Sequence, residues 1–362
     1  MQDVVEISFL ELEEKEELKD FAKQVVNTCF NEEKLNNLNF YFDGKYINEI
    51  GNRIKVIDLD LLDNNFEEKL NSNVENVNFF IHSAACVKHY GDYEYFKAIN
   101  VDATENVAKY CLYNNIKLIH ASTLSVSGNG FDIGINNQRI KKQEFDEKSL
   151  YIGQNISNVY AKTKFEAECV VLKYIKLGLK ANILRYGNLT NRVSDLKFQK
   201  NIEDNAFLDR ISTLFKTNVL PESVKDIYLE FTPIDYAALA TYTILNNFVD
   251  NKVYHIFNNN HVDIIDYINI LNKAFDCDIN IISNKEFSEV AKKLINSDEE
   301  ILSKTLVQDL DENYELNYSS NIKVMCEITN EFLRKCGFKW PTIDDRYIIE
   351  YINHFKKLGY IK

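Results

Sequence analysis

Between residues 53 and 188, short apolar runs rich in β-branched residues alternate with long stretches of helical periodicity. This alternation limits the fold more than any other feature of the chain. "RIKVIDLDL" (53–61), "NVNFFIHSAA" (76–85), "IKLIHAST" (116–123) and "KANILRYGN" (180–188) read as buried strands, each running into acidic, small or polar residues. A helical pattern covers 93–114, with apolar positions at Phe96, Ile99, Val107, Ala108 and Cys111, and a second covers 158–177. Such a succession predicts a parallel sheet with helices on both faces. The expected class is α/β, a Rossmann-like doubly wound parallel sheet with a smaller, mostly helical C-terminal subdomain. Beyond residue 190 the pattern is mostly helical, interrupted by "YLEFTPIDYAALATYTIL" (228–245) and by "KVYHIF" (252–257), which suits a return to the sheet. The tail from 264 to 362 reads as several amphipathic helices. The expected division is therefore 1–190 with 230–258 for the sheet domain, and 191–229 with 259–362 for the substrate-binding subdomain.

Bulk properties exclude some classes. A chain of 362 residues can bury a large core. Its net charge of −13 argues against a nucleic-acid binder, which needs basic clusters to neutralise phosphates. No run of about 18 apolar residues occurs, and Met1 is followed by "QDVVEISFLELEEKEE" rather than a basic and then apolar leader. A soluble, cytoplasmic protein without a membrane partner is expected. The seven cysteines are scattered without a Cys-x-x-Cys pair, which suggests buried thiols rather than a zinc or redox site. His82, His120 and His255 fall within or at the ends of strands and read as core imidazoles; His89 has no partners at metal-ligand spacing. No metal is expected.

In a doubly wound sheet, ligands bind beyond the carboxyl ends of the strands. Those ends read Asp60-Leu61, Ser83-Ala84-Ala85, Ser122-Thr123 and Gly187-Asn188. Small residues at 83–85 would let a flat ring or a ribose come close to the backbone. Just before the last strand, "NVYAKTKFEAE" (158–168) places Tyr160 four residues ahead of Lys164, the spacing of a hydride-transfer site. The spacing alone is weak, since it recurs at Tyr41/Lys45, Tyr93/Lys97 and Tyr113/Lys117 in a chain with 21 tyrosines. Context singles out one pair. Thr123 ends the preceding strand, so its hydroxyl and the Tyr160 phenol are expected at one rim, with Lys164 a turn further along the same helix face. A phenol normally titrates near ~10. A neighbouring ammonium is expected to favour the phenolate and bring it toward the working range.

Taken in order, "FFIHSAACVKHYGDYEYFKAINVDATENVAKYC" (79–111), "LIHASTLSVSG" (118–128), "NVYAKTKFEAE" (158–168), "LRYGNLTNR" (184–192) and "LEFTPIDYAALA" (229–240) resemble the extended short-chain dehydrogenase/reductase superfamily. Within it they are most similar to the thioester reductase domains of nonribosomal peptide synthetases and to carboxylic acid reductases. The resemblance implies an NADPH-dependent reductase acting on an acyl or peptidyl thioester held by a phosphopantetheinyl carrier protein. By position it implies Thr123, Tyr160 and Lys164 as catalytic residues. It also implies Asp60 and Leu61 near adenine, Ser83, Ala84 and Ala85 along the cofactor, and Tyr186, Gly187 and Asn188 beside the nicotinamide. Tyr160 and Lys164 would also contact the cofactor.

The sequence departs from that family in places. The Gly-x-x-Gly-x-x-Gly turn that cradles the pyrophosphate is missing, and the first fifty residues contain only Gly44. "GNGFDIG" (128–134) has another spacing and follows a late strand, so it reads as a loop. The chain reads as starting at or after the family's second strand, with "VVEISFL" (4–10) as what is left of it and no arginine behind it for a 2′-phosphate. Leu59 stands where the family commonly has glycine, and Tyr186 where it has proline. The expectation is a truncated reductase whose diphosphate end is incomplete; the alternative is that the N-terminus rebuilds the slot of the missing first strand. The rivals are a non-catalytic remnant that docks a carrier domain, and a nucleotide-sugar epimerase or dehydratase. The long 127–157 stretch and "LEFTPIDYAALA" favour the reductase.

Overall fold

The computed structural model describes residues 57, 59–87, 91–128, 143–198, 202, 205–296, 307, 310–316 and 322–361. The expectations for residues 1–56, for His89 and for the glycines of 129–134 lie outside them.

Four of the expected apolar runs meet as one sheet. Strand β1 (Phe79–His82) pairs with β2 (Lys117–Thr123), β2 with β4 (Ala181–Tyr186), and β4 with β9 (Val253–Ile256), all parallel. The segment 252–257 thus does return to the sheet. Of the run 53–61, the described residues 57 and 59–61 belong to no ladder, and Ile57 and Leu61 are buried in the core. Between β2 and β4 lies the short β3 (Gln143–Phe145), paired with a distant strand near the C-terminus.

Both sheet faces are covered because the strand side chains alternate. On one face, Leu118 and Ile183 meet Val107 and Cys111 of α3 (Ala103–Tyr113) and Val171 of α4 (Val159–Lys176). On the other, Ile119, Leu184 and Ile256 meet Ala237 and Ile244 of α6 (Ile234–Asn246) and Leu333 of α9 (Glu327–Lys335). Each fully buried aliphatic side chain of this kind contributes about 1.5–3 kcal/mol. The remaining named elements are α1 (Phe66–Asn71), α2 (Tyr93–Lys97), α5 (Ala206–Thr217), α7 (Ile264–Phe275), α8 (Asn284–Ile295) and α10 (Asp345–Lys357). The short strands are β5 (Leu189–Thr190), β6 (Val219–Pro221), β7 (Tyr228–Leu229), β8 (Thr232–Pro233), β10 (Val262–Asp263), β11 (Asn280–Ile282) and β12 (Ile322–Val324), the partner of β3.

A separate cluster of buried residues joins α5, α7 and α10 around Phe231, whose ring lies 6.1, 6.1 and 5.6 Å from those of Tyr267, Tyr347 and Tyr351. This is the helical C-terminal part. Two miniature ladders lie close to its junction with the sheet region: β5 runs parallel to β8, and β7 antiparallel to β10.

The helical pattern read across 93–114 is one continuous helical run containing a π-helical turn, Ala98–Asp102, between α2 and α3. Such turns hold one residue more than an α-helical turn. Here the buried Asn100 uses it. Its Oδ1 accepts from the Cys86 backbone N–H (2.7 Å), and its Nδ2 donates to the Cys86 carbonyl (3.1 Å) and to Thr163 Oγ1 (3.0 Å). One side chain therefore ties the segment after β1 to α4. Among the described residues no helix is long and apolar enough to cross a membrane.

Candidate active site

Helix α4 starts where its sequence dictates. Asn158 caps it, its Oδ1 accepting from the N–H groups of Tyr160 (2.9 Å) and Ala161 (3.1 Å). Tyr160 is therefore fixed in the first helical turn, at the carboxyl end of the sheet. Its ring packs with Cys86, Phe96 and Ile99.

Thr123 is the last residue of β2, and its hydroxyl lies near enough to the Tyr160 phenol to pull its titration down. The two hydroxyls expected at one rim are thus together. The Thr123 hydroxyl also accepts from the Ser125 N–H (3.1 Å) and contacts Ser125 Oγ (3.1 Å). Ser125 is exposed and adds a hydroxyl that the sequence reading did not single out, although Thr-x-Ser after a strand is a known local turn signal. Gly128 closes this loop at φ +71°, where a side chain would collide with the Asn155 carbonyl.

Lys164 is buried one turn below Tyr160. Its Nζ donates to the Ala121 carbonyl (2.7 Å) and lies 3.5 Å from His120 Nε2. Burial lowers the ammonium to about 8, an effect that the Glu168 carboxylate opposes. His82 and His120 lie behind it, ring centroids 5.6 Å apart, and both are neutral. Burial holds His82 at about 3 and His120 well below its ordinary range, and the Lys164 charge adds to both shifts. His82 Nε2 lies 3.0 Å from Thr104 Oγ1. The reading of these imidazoles as core groups agrees with this placement, except that His120 Nδ1 has no hydrogen-bond partner among the described residues.

The expected electrostatics differ in one respect. Tyr160 is pushed up to about 12, not down, because burial outweighs the lowering by Thr123, and Lys164 directs its ammonium at Ala121. The phenol is accordingly a protonated donor at neutral pH.

Beneath the rim runs a second polar system. Arg185 of β4 pairs with Glu168 of α4 (2.7 Å), both buried; Ser122 Oγ donates to Glu168, and Arg185 reaches the Ser149 carbonyl and His255 Nε2. Neither Glu168 nor Arg185 stood out in the sequence, because nothing local marks a pair 17 positions apart.

The other expected residues are placed as follows. Ser83, Ala84 and Ala85 follow the end of β1, the two alanines buried, with the next residue held by Asn100. Asp60 is exposed and accepts from the Leu62 N–H (2.9 Å), whereas the Leu61 side chain is in the core. Tyr186 ends β4 in register with Thr123, but its side chain turns into the second sheet face and bonds Thr241 Oγ1 (2.7 Å). Gly187 and Asn188 follow it at the rim. The Asn188 N–H donates to both carboxyl oxygens of Glu230 (2.9 and 3.1 Å). Among the described residues no group of three or more His, Cys, Asp or Glu is placed to hold a metal ion.

The family model described as "Male sterility protein", an NAD-binding domain, matches residues 13–241. The chain belongs to this family. It is a member of the extended short-chain dehydrogenase/reductase superfamily, of the thioester reductase type. Among solved structures, the chain resembles a thiolation-reductase di-domain from an archaeal non-ribosomal peptide synthetase at 30% identity and a TM-score of 0.72. That match covers 90% of this chain and 66% of the other, so the chain spans just under two thirds of the di-domain's length. The reductase domain of the Aureusimine biosynthetic cluster (23% identity, TM-score 0.72, 92% and 83% covered) has the same fold. So does the terminal R domain of the myxalamid PKS-NRPS pathway (20% identity, TM-score 0.74, 93% and 84% covered). A search of curated proteins found no match.

The described residues fit the nicotinamide end of such a cofactor. Small residues border the strand end at 83–85, two hydroxyls meet at the rim, and an ammonium lies one turn below.

Proposed function

We propose that this chain reduces an acyl or peptidyl thioester, carried on the phosphopantetheine arm of a carrier protein, to an aldehyde, with NADPH as the reductant. The observation that carries this reading is the nearness of the Thr123 hydroxyl to the Tyr160 phenol at the carboxyl end of the parallel sheet, with Lys164 a turn below. A thiolation domain stands beside the reductase in the archaeal relative, which supports a carrier partner.

When bound, the reduced nicotinamide supplies a hydride to the thioester carbonyl carbon. The Thr123 and Tyr160 hydroxyls donate to the carbonyl oxygen as it becomes an oxyanion. Tyr160 then gives up its proton to that oxygen, a role suited to a phenol that stays protonated at neutral pH. The C–S bond of the resulting hemithioacetal breaks, the oxygen proton leaves, and the sulfur is released as the carrier's thiol. A second hydride and proton would convert the aldehyde to an alcohol. Lys164 positions the cofactor's ribose and holds positive charge below Tyr160.

Ser83, Ala84, Ala85, Gly187 and Asn188 border the cofactor in this reading, as does the backbone of Tyr186, with Asp60 and Leu61 toward adenine. Residues 1–190 and 230–258 form the cofactor domain, and 191–229 and 259–362 the substrate side, from which α9 crosses back onto the sheet. The protein acts in the cytoplasm, where a reducing environment keeps thiols such as the buried Cys86, Cys111 and Cys326 free.

The test is a titration with NADPH followed by nicotinamide fluorescence, together with turnover of an acyl-loaded carrier. Binding with aldehyde release is expected. An intact fold that binds no NADPH would instead favour the carrier-docking remnant.

A further inference from the structure

Glu230 has no role in the chemistry above, yet the rim is built around it. Both its carboxyl oxygens accept from the Asn188 N–H, and the Thr232 hydroxyl donates to Oε1. Thr232 is itself fixed, its N–H donating to the Asn188 carbonyl (3.0 Å) and its hydroxyl accepting from the Asn258 N–H (2.8 Å). Gly187 leaves the carboxyl room: a Cβ there would lie 2.6 Å from Oε2 and closer still to Oε1. Only glycine permits this approach. Glu230 also sits between the two halves of the molecule, because Phe231, next in the chain, is the centre of the helical subdomain's core.

From this geometry we infer that Glu230 is a positioning residue for hydride transfer, which clamps Gly187–Asn188 and sets the charge beside the nicotinamide. The inference rests on the proposed function, which places the nicotinamide at this loop. Burial raises the Glu230 carboxyl to about 7, an effect that Thr232 and the Asn188 N–H oppose. Among the described residues no cation pairs with it. The titratable group that feels its charge is the Cys326 thiol at the start of α9, which is itself raised to about 12, mainly by burial. Near neutral pH the loop can therefore carry either a carboxyl or a carboxylate. Hydride donation turns a neutral dihydronicotinamide into a cationic ring. An ionised Glu230 favours the cationic product over the neutral reactant, and a neutral Glu230 does not discriminate by charge.

The test compares the dissociation constants of NADPH and NADP⁺, measured by fluorescence and calorimetry between pH 5.5 and 8.5 as order-of-magnitude bounds around about 7. In the wild type, the preference for NADP⁺ relative to NADPH should rise roughly fivefold to tenfold as Glu230 ionises. E230Q should hold the ratio flat, because the amide keeps the size and loses the charge. A merely structural role would weaken both cofactors alike and leave the ratio unchanged. If E230Q fails to fold, the wild-type ratio still decides: a ratio independent of pH overturns the inference while leaving the reductase reading in place. An E230Q protein that keeps the pH step overturns it too. Failure of either cofactor to bind at any pH overturns both.

Discussion

Two polar systems sit on or beside the same strands and the same helix, and they are built in opposite ways. Ser122, Glu168, Arg185 and His255 form a closed network under α4, with the ion pair fully buried and the guanidinium bonded to Glu168, Ser149 and His255. Thr123, Tyr160, Gly187 and Asn188 lie next to them at the rim, at the carboxyl ends of the strands. The buried network leaves no capacity for a ligand and fixes β2, β4 and α4 relative to one another. The rim rests on that fixed frame. Neighbouring residues are thus divided between the buried frame and the rim at which the proposed chemistry would take place.

Mutations should separate the two. Y160F should lower aldehyde release by about 10²–10⁴-fold while leaving the urea midpoint of unfolding unchanged; full turnover in that variant would remove Tyr160 from the chemistry. E168Q leaves Arg185 buried without its counter-charge, so urea unfolding should show a loss of about 3–5 kcal/mol. NADPH affinity of the folded fraction should hardly change, and a stable E168Q would mean that the network is not the frame. G187A should cost about 1–3 kcal/mol through collision with Glu230. Adding E230A should recover much of it, so that the double variant is less damaged than the sum of the two singles; strict additivity would deny the contact.

The smallest effect concerns Lys164. Its folded value of about 8 lies below the ordinary lysine value of 10.5. Between these values the unfolded chain holds more protons, so folding stability should rise with pH over that window. Below about 8 both states are charged and the burial penalty is present in full. K164M should lack this alkaline rise relative to the wild type, and an identical pH dependence in both would show that the ammonium is not buried.

The sequence made the elements legible because strands and helices follow local periodicity. Phe79–His82, Lys117–Thr123, Val159–Lys176, Ala181–Tyr186 and Val253–Ile256 all lie within the runs read as strands and helices. The Thr123/Tyr160/Lys164 set was legible for a related reason: a strand end and a helix start are local, and parallel neighbours bring them to one edge. What could not be read depends on contacts between distant positions. The Glu230 carboxyl reaches the Asn188 N–H across 42 positions, and β12 pairs with β3 from near the other end of the chain. The rise in the Tyr160 value was hidden for the same reason, because it comes from the packing of Cys86, Phe96 and Ile99.

The extra residue in the Ala98–Asp102 turn puts the helical segments on either side of it out of phase, by about 100° at 3.6 residues per turn. Phe96 can therefore face Tyr160 while Val107 and Cys111 face the sheet, although no single regular helix would present both stripes so well. Deleting any one residue there would restore a uniform helix and rotate the aromatic wall away from the phenol, leaving Asn100 without its grip on Cys86. The length of this one turn, rather than its composition, is what sets the angle of the wall.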